Sequence, residues 1–103
     1  MSVHFDPVLR YHGLMHLKPK LAGYVHVDEL QDMREGAFFR WYHIDRGQLA
    51  NGAFLASVQI FPDGIYLTFK KLSRFFSMWA DDVVLFKKEN HDDFLRRALQ
   101  EFA

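Results

Sequence analysis

Six histidines and no cysteine bound the chemistry open to this chain of 103 residues. His12 and His16 are four residues apart, a spacing that puts two imidazoles on one face of a helix as zinc ligands. His4 and His26 lie in the same N-terminal third. One reading is a zinc or nickel site with His12 and His16 as candidate ligands. The other is a set of unrelated, partly exposed histidines. Gly13 weakens the helix that the spacing needs, and no thiolate is present to complete a common structural set.

The carboxylates form two adjacent pairs, Asp81-Asp82 and Asp92-Asp93. Neighbours in a strand or loop point apart, so neither pair converges on one bond as glycoside chemistry requires. Turn formation and helix capping account for both pairs. Four serines occur, Ser2, Ser57, Ser73 and Ser77, and none lies in a Gly-x-Ser-x-Gly elbow. The six glycines are scattered singly, so there is no phosphate loop and no dinucleotide fingerprint. These absences point away from an enzyme. No catalytic residue and no cofactor is assigned.

The basic residues carry more information. Segment 64–88 holds Lys70, Lys71, Arg74, Lys87 and Lys88 against Asp81 and Asp82, a local net charge of +3 in a chain whose total is zero. Aromatic residues are interleaved with them. The candidate ligand-binding set is Tyr42, Tyr66, Lys70, Lys71, Arg74, Phe75, Phe76, Lys87 and Lys88. Basic groups beside exposed aromatic faces can hold a single-stranded nucleic acid by phosphate contact and stacking. The plainer reading is a solvated charged rim beside core aromatics. A narrower version is an aromatic cage for methylated lysine, drawn from Trp41, Tyr42, Tyr66 and Trp79.

The elements that must position these groups read as follows. Asp6-Pro7 suits a helix start, and Gly13 stops it. Segment 14–17 is ambiguous, and Pro19 ends it. Asp28 as N-cap, Gln31 three residues on and Gly36 at the far end predict a short helix over 29–35. Segment 37–44 is bulky on both faces, with Phe39 and Trp41 on one and Phe38 and Tyr42 on the other, as in a strand between two layers. Phe54, Ala56, Val58 and Ile60 alternate with Leu55, Ser57 and Gln59 in a half-buried strand. Pro62-Asp63-Gly64 predicts a hairpin whose return strand points Ile65, Leu67 and Phe69 inward and Tyr66, Thr68 and Lys70 outward. Strands over 74–79 and 83–86 follow, joined by an Asp81-Asp82 turn. A helix over 90–102 places Phe94, Leu95, Ala98, Leu99 and Phe102 on one stripe. That stripe needs a partner surface, either the open sheet of its own chain or another chain, and these five are the candidate partner-binding residues.

The expected fold is mainly β: a small SH3-like five-stranded antiparallel barrel over 37–88, with a short helix before it and a C-terminal amphipathic helix. The chain is one domain, with an irregular segment over 1–36. Aromatic residues make up 17% and hydrophobic residues 50% of the chain, which excludes a disordered one. The longest apolar runs are far short of the ~20 residues that cross a bilayer, and the N-terminus carries no signal-peptide pattern.

Glu35-Gly36-Ala37-Phe38-Phe39-Arg40-Trp41, then Asn51-Gly52-Ala53-Phe54-Leu55, Arg74-Phe75-Phe76 and Val84-Leu85-Phe86-Lys87, with Tyr11-His12-Gly13-Leu14 before them, form a series. This order resembles small uncharacterised SH3-like proteins encoded by large DNA viruses of eukaryotes. The resemblance covers most of the chain and brings no catalytic residues. It implies an SH3-like domain, a viral or virus-derived origin and a virion or nucleic-acid-associated role. The expected function is a non-enzymatic interaction module that binds protein partners, self-associates or serves as a small component of a larger assembly. The alternatives are a nucleic-acid-binding barrel and, behind it, a metal-binding or enzymatic protein. No membrane association is expected. The expected location is intracellular, in the cytoplasm or nucleus of a host cell, or in a virion.

Overall fold

Alternation of bulky residues and short turn signals set the strands, and the strands set everything else. The computed structural model describes residues 6–89 and Leu99. A helix α1 (Asp6–His12) and a 3-10 segment (Met15–Leu21) precede strands β1 (Tyr24–Val27), β2 (Phe38–His43), β3 (Gln48–Leu49), β4 (Ala53–Phe61), β5 (Gly64–Lys71), β6 (Arg74–Trp79) and β7 (Val83–Lys88). The sheet is antiparallel and open. Its order is β1-β7-β2-β4-β5-β6, with β3 paired to β2. The described residues thus hold seven strands rather than five.

The Pro62-Asp63 hairpin closes between Phe61 and Gly64 as expected, and Leu67 and Phe69 of the return strand are fully buried. A bulge between Leu55 and Ser57 shifts the β4–β5 register. The bulge corrects the reading of β4. Ala53 and Leu55 face the core, while Phe54 and Ile60 are exposed. An inserted residue also bends and twists a strand, which helps the sheet curl. The curl is direct in the side chains: Trp41 of β2 stacks on Phe69 of β5, two strands away in the sheet.

Two cores share one wall. The inner core takes Phe39 and Trp41 from β2, Leu67 and Phe69 from β5, and Val83 and Leu85 from β7. The second core lies on the other side of β7. There Val84 and Phe86 meet Leu9, Leu14, Leu17 and Leu21, with Tyr42 and Leu49 packed against them. Five successive residues of β7, 83–87, are therefore buried. The two-sided character read from β2 has the same cause. The N-terminal segment is no loose arm but the cover of this second core. Gly13 (φ 70°) ends α1 where expected. Lys18 Nζ then ties back to Asp6 Oδ2 at 3.0 Å, pairing a partly exposed ammonium with a buried carboxylate.

Three expectations change. The helix over 29–35 is a single 3-10 turn, Leu30–Asp32. Leu30 is exposed and Met33 alone is buried, so no apolar stripe holds a helix there. Gln31 Nε2 bonds Glu29 Oε2 at 2.6 Å instead of closing a capping box. Second, Tyr24–Val27, placed within an irregular segment, is strand β1, paired residue for residue with β7. Third, the sheet does not close as a five-stranded barrel. The expected helix over 90–102 lies outside the described residues apart from Leu99, which is exposed.

Candidate functional site

The second core covers the outer face of the sheet over β7 and β2, with Tyr24 of β1 and Leu49 of β3 packed against it. Among the described residues that face is open over β4, β5 and β6. The ladder places Phe54, Lys70 and Phe75 in one row, Ser57, Thr68 and Ser77 in the next, and Gln59, Tyr66 and Trp79 in a third. Phe75 is 63% exposed and Phe54 53%. Phe38 meets Phe54 edge-on at 5.0 Å, and Lys70 Nζ lies 5.5 Å from the centroid of Phe75. At the other end Trp79 sits edge-on to Tyr66 (5.0 Å) and Phe61 (5.7 Å). Between these aromatic ends runs a hydroxyl band, with Thr68 Oγ1 and Ser77 Oγ 3.1 Å apart. Among the described residues β6 pairs only with β5, so it forms an edge of the sheet.

The structure thus gathers Tyr66, Lys70 and Phe75 on one face and separates the rest of the candidate set. Phe76 points to the opposite side, 6.0 Å from Trp41, with the Arg74 guanidinium 5.6 Å from its ring centroid. Lys71 and Arg74 face each other across the β5–β6 turn. Tyr42 packs on the second core. Lys88 is exposed at the end of β7, but Lys87 is only 4% exposed. Lys87 lies opposite Phe39, on the inner face of a strand covered on both sides, so it is not a surface ligand residue. The methyl-lysine cage does not assemble. Trp41 and Tyr42 serve opposite faces of β2, and of the four named aromatics only Tyr66 and Trp79 meet.

His12 ends α1 and His16 lies in the following 3-10 segment, so the helical face implied by their spacing is not formed. Among the described residues no trio of His, Asp or Glu is placed to hold a metal ion. His26 is half-buried, its ring 5.9 Å from that of Phe86. Burial lowers its pKa; Asp28 draws it back up and His12 presses it further down. It opens on a small cavity shared with His12, Asp28 and Asp81. Asp81 and Asp82 form the exposed 3-10 turn Ala80–Asp82, where a turn was expected.

One feature was missed at the level of sequence. Two adjoining cavities, about 620 and 380 Å³, share Trp41, Ala50, Asn51 and Phe76. They form a cleft running from the turn after β2, along the β3–β4 connection, to the β5–β6 turn. Arg40 fixes its floor, donating from Nε to the Ala50 carbonyl (2.8 Å) and from Nη1 to the Lys20 carbonyl (2.9 Å). The one sequence hint was Arg40-Trp41, a cation beside a core aromatic.

No protein-family model, no curated protein and no solved structure matches this chain. Among the described residues no helix is long and apolar enough to cross a membrane.

Proposed function

We propose that this chain is a non-enzymatic interaction module on a small, curled, SH3-like sheet, and that it binds a protein partner through β6 and the open face beside it. The observation that carries the reading is Phe75: an aromatic ring, 63% exposed, on a strand with one edge unpaired among the described residues. An exposed edge strand is a template for an added strand, and unprotected ones are a hazard that proteins usually blunt. Here the edge carries Phe75 and Trp79 instead, which suits a partner that adds an extended segment with apolar residues at alternate positions. Lys70 at the start of the face, its Nζ 5.5 Å from the Phe75 ring centroid, favours an acidic residue at the corresponding end of that segment. A cysteine-free chain fits an intracellular setting. The likeness to small viral SH3-like proteins is then one of scaffold, with self-assembly or incorporation into a larger particle as the use.

Selection of peptides from a random display library on the full-length chain tests this reading. The expected winners alternate apolar and polar residues, and their binding falls at least about tenfold in Phe75→Ser and Trp79→Ser. Winners that bind these variants unchanged place the partner site elsewhere.

A further inference from the structure

We infer that the cleft beneath the β3–β4 connection is a second, separate binding site, and that its ligand is a single-stranded nucleic acid. The inference does not rest on the open face described above, which lies on the other side of β6.

Five cations line the cleft: Lys20, Arg40 and Arg46 in the larger cavity, Lys71 and Arg74 in the smaller. His16 and His43 also line the larger cavity, and His43 Nδ1 accepts from the Arg46 backbone N–H at 3.4 Å. Among the described residues neither lining contains an Asp or a Glu. In a chain with 13 acidic and 13 basic residues, such a one-sided lining concentrates positive potential in a recess, where low-dielectric walls focus it. None of the five cations makes an ion pair among the described residues. The two bonds that hold Arg40 go to neutral carbonyls and leave its charge uncancelled.

The layout selects the kind of anion. The charges do not converge on one point, as a site for a single phosphate requires. They occur in two groups, one in each cavity, with the half-buried ring of Phe76 at the junction above the buried Trp41. Repeated charge with aromatic rings between is the arrangement that tracks a phosphodiester backbone and receives its bases. Asn51, at the same junction, adds an amide able to donate and accept to a base edge. A recessed cleft admits unpaired bases, whereas a duplex keeps its bases stacked away from such walls.

The β5–β6 turn closes one end of the cleft. Leu72 adopts φ 58°, a left-handed conformation that costs a non-glycine residue roughly 1–2 kcal/mol. It lines the smaller cavity between Lys71 and Arg74 while remaining 86% exposed. Positive φ at the first central position is what a two-residue hairpin turn demands, and this turn serves the cleft by carrying Lys71 and Arg74.

Fluorescence anisotropy of a labelled oligothymidylate of about 12 nucleotides, titrated with the full-length chain in about 50 mM salt, tests the assignment. Binding that weakens steeply with salt is expected. It should fall about tenfold or more in Arg46→Glu/Lys71→Glu and stay within about twofold in Lys88→Glu, which lies outside the cleft. All three positions are exposed, so the fold is expected to survive; Lys20→Glu serves as a further reversal if the double variant does not fold. Three results would overturn the assignment. One is no binding up to about 100 µM protein. Another is equal binding by the cleft reversals that do fold. The third is tighter binding of a polyglutamate peptide of matched charge, which would make the cleft a site for acidic protein.

Discussion

The rings of Trp41 and Phe69 stack with centroids 4.5 Å apart and planes 23° from parallel, and this contact joins β2 to β5 across the curl of the sheet. Both are buried in the inner core. Such a pair contributes about 0.5–1.5 kcal/mol beyond the area it buries. Trp41→Leu and Phe69→Leu should each destabilise the chain by about 1–3 kcal/mol. Together they should cost less than their sum by about the stacking energy. Urea unfolding of the four proteins measures the coupling, and strict additivity would mean that the stack contributes nothing of its own.

Gly52 is required by close approach. A Cβ there would sit 2.6 Å from Cε2 of Phe38 and 2.8 Å from the Phe39 carbonyl oxygen, and its φ is 115°. Gly52→Ala should lose more than about 1 kcal/mol, because conformational strain and a backbone clash add. Phe38 cannot retreat freely, since its ring rests on Phe54. A melting temperature equal to that of the parent chain would show that the β3–β4 connection shifts without cost.

Leu72 should behave in the opposite sense. Leu72→Gly removes the left-handed penalty at an exposed turn and should raise stability by up to about 1 kcal/mol. The substitution separates stability from binding at the cleft rim: thermal melting reports the first, oligonucleotide affinity the second. A fall in melting temperature would indicate that the Leu72 side chain stabilises the turn.

His26 gives the chain a pH dependence of definite sign. Its pKa in the folded chain lies below the roughly 6.5 of an exposed imidazole, mainly through burial. On acidification the unfolded chain takes up this proton first, so in that window it binds more protons than the folded chain. Stability therefore rises with pH there. The contribution is complete above about pH 6.5 and is lost as pH falls through the folded value. His26→Gln should flatten this part of the stability profile between about pH 5 and 7. A slope unchanged in the variant would assign it to other groups.

Much of the sheet can be read from residue types. Ile65 to Lys70 alternate as a period-two strand must, whereas on β6 Phe75 and Trp79 stay exposed although rings of this size usually seek the core. What escaped has physical causes. Tyr24–Val27 is only four residues long, and its pairing with β7 is non-local. The helix over 29–35 had capping residues but no buried face, and tertiary packing outweighs caps. The register of β4 was lost at a bulge that no residue type announces. The cleft was hidden by counting charge along the chain. Lys20, Arg40 and Arg46 fall in segment 1–63, whose net charge is −1, while Lys71 and Arg74 fall in the basic segment that follows. The fold collects cations that the sequence disperses.

The wall shared by the two cores has a consequence for synthesis. A ribosome makes the chain from its N-terminus, so α1 emerges first, yet the surface it packs on is Val84 and Phe86 of the last described strand. The inner core likewise waits for Val83 and Leu85. A nascent chain arrested before residue 83 has neither layer to close, and its leucines and aromatics stay accessible to chaperones. Release of β7 from the exit tunnel is then the event that permits folding, and both layers consolidate together rather than in the order in which they are made.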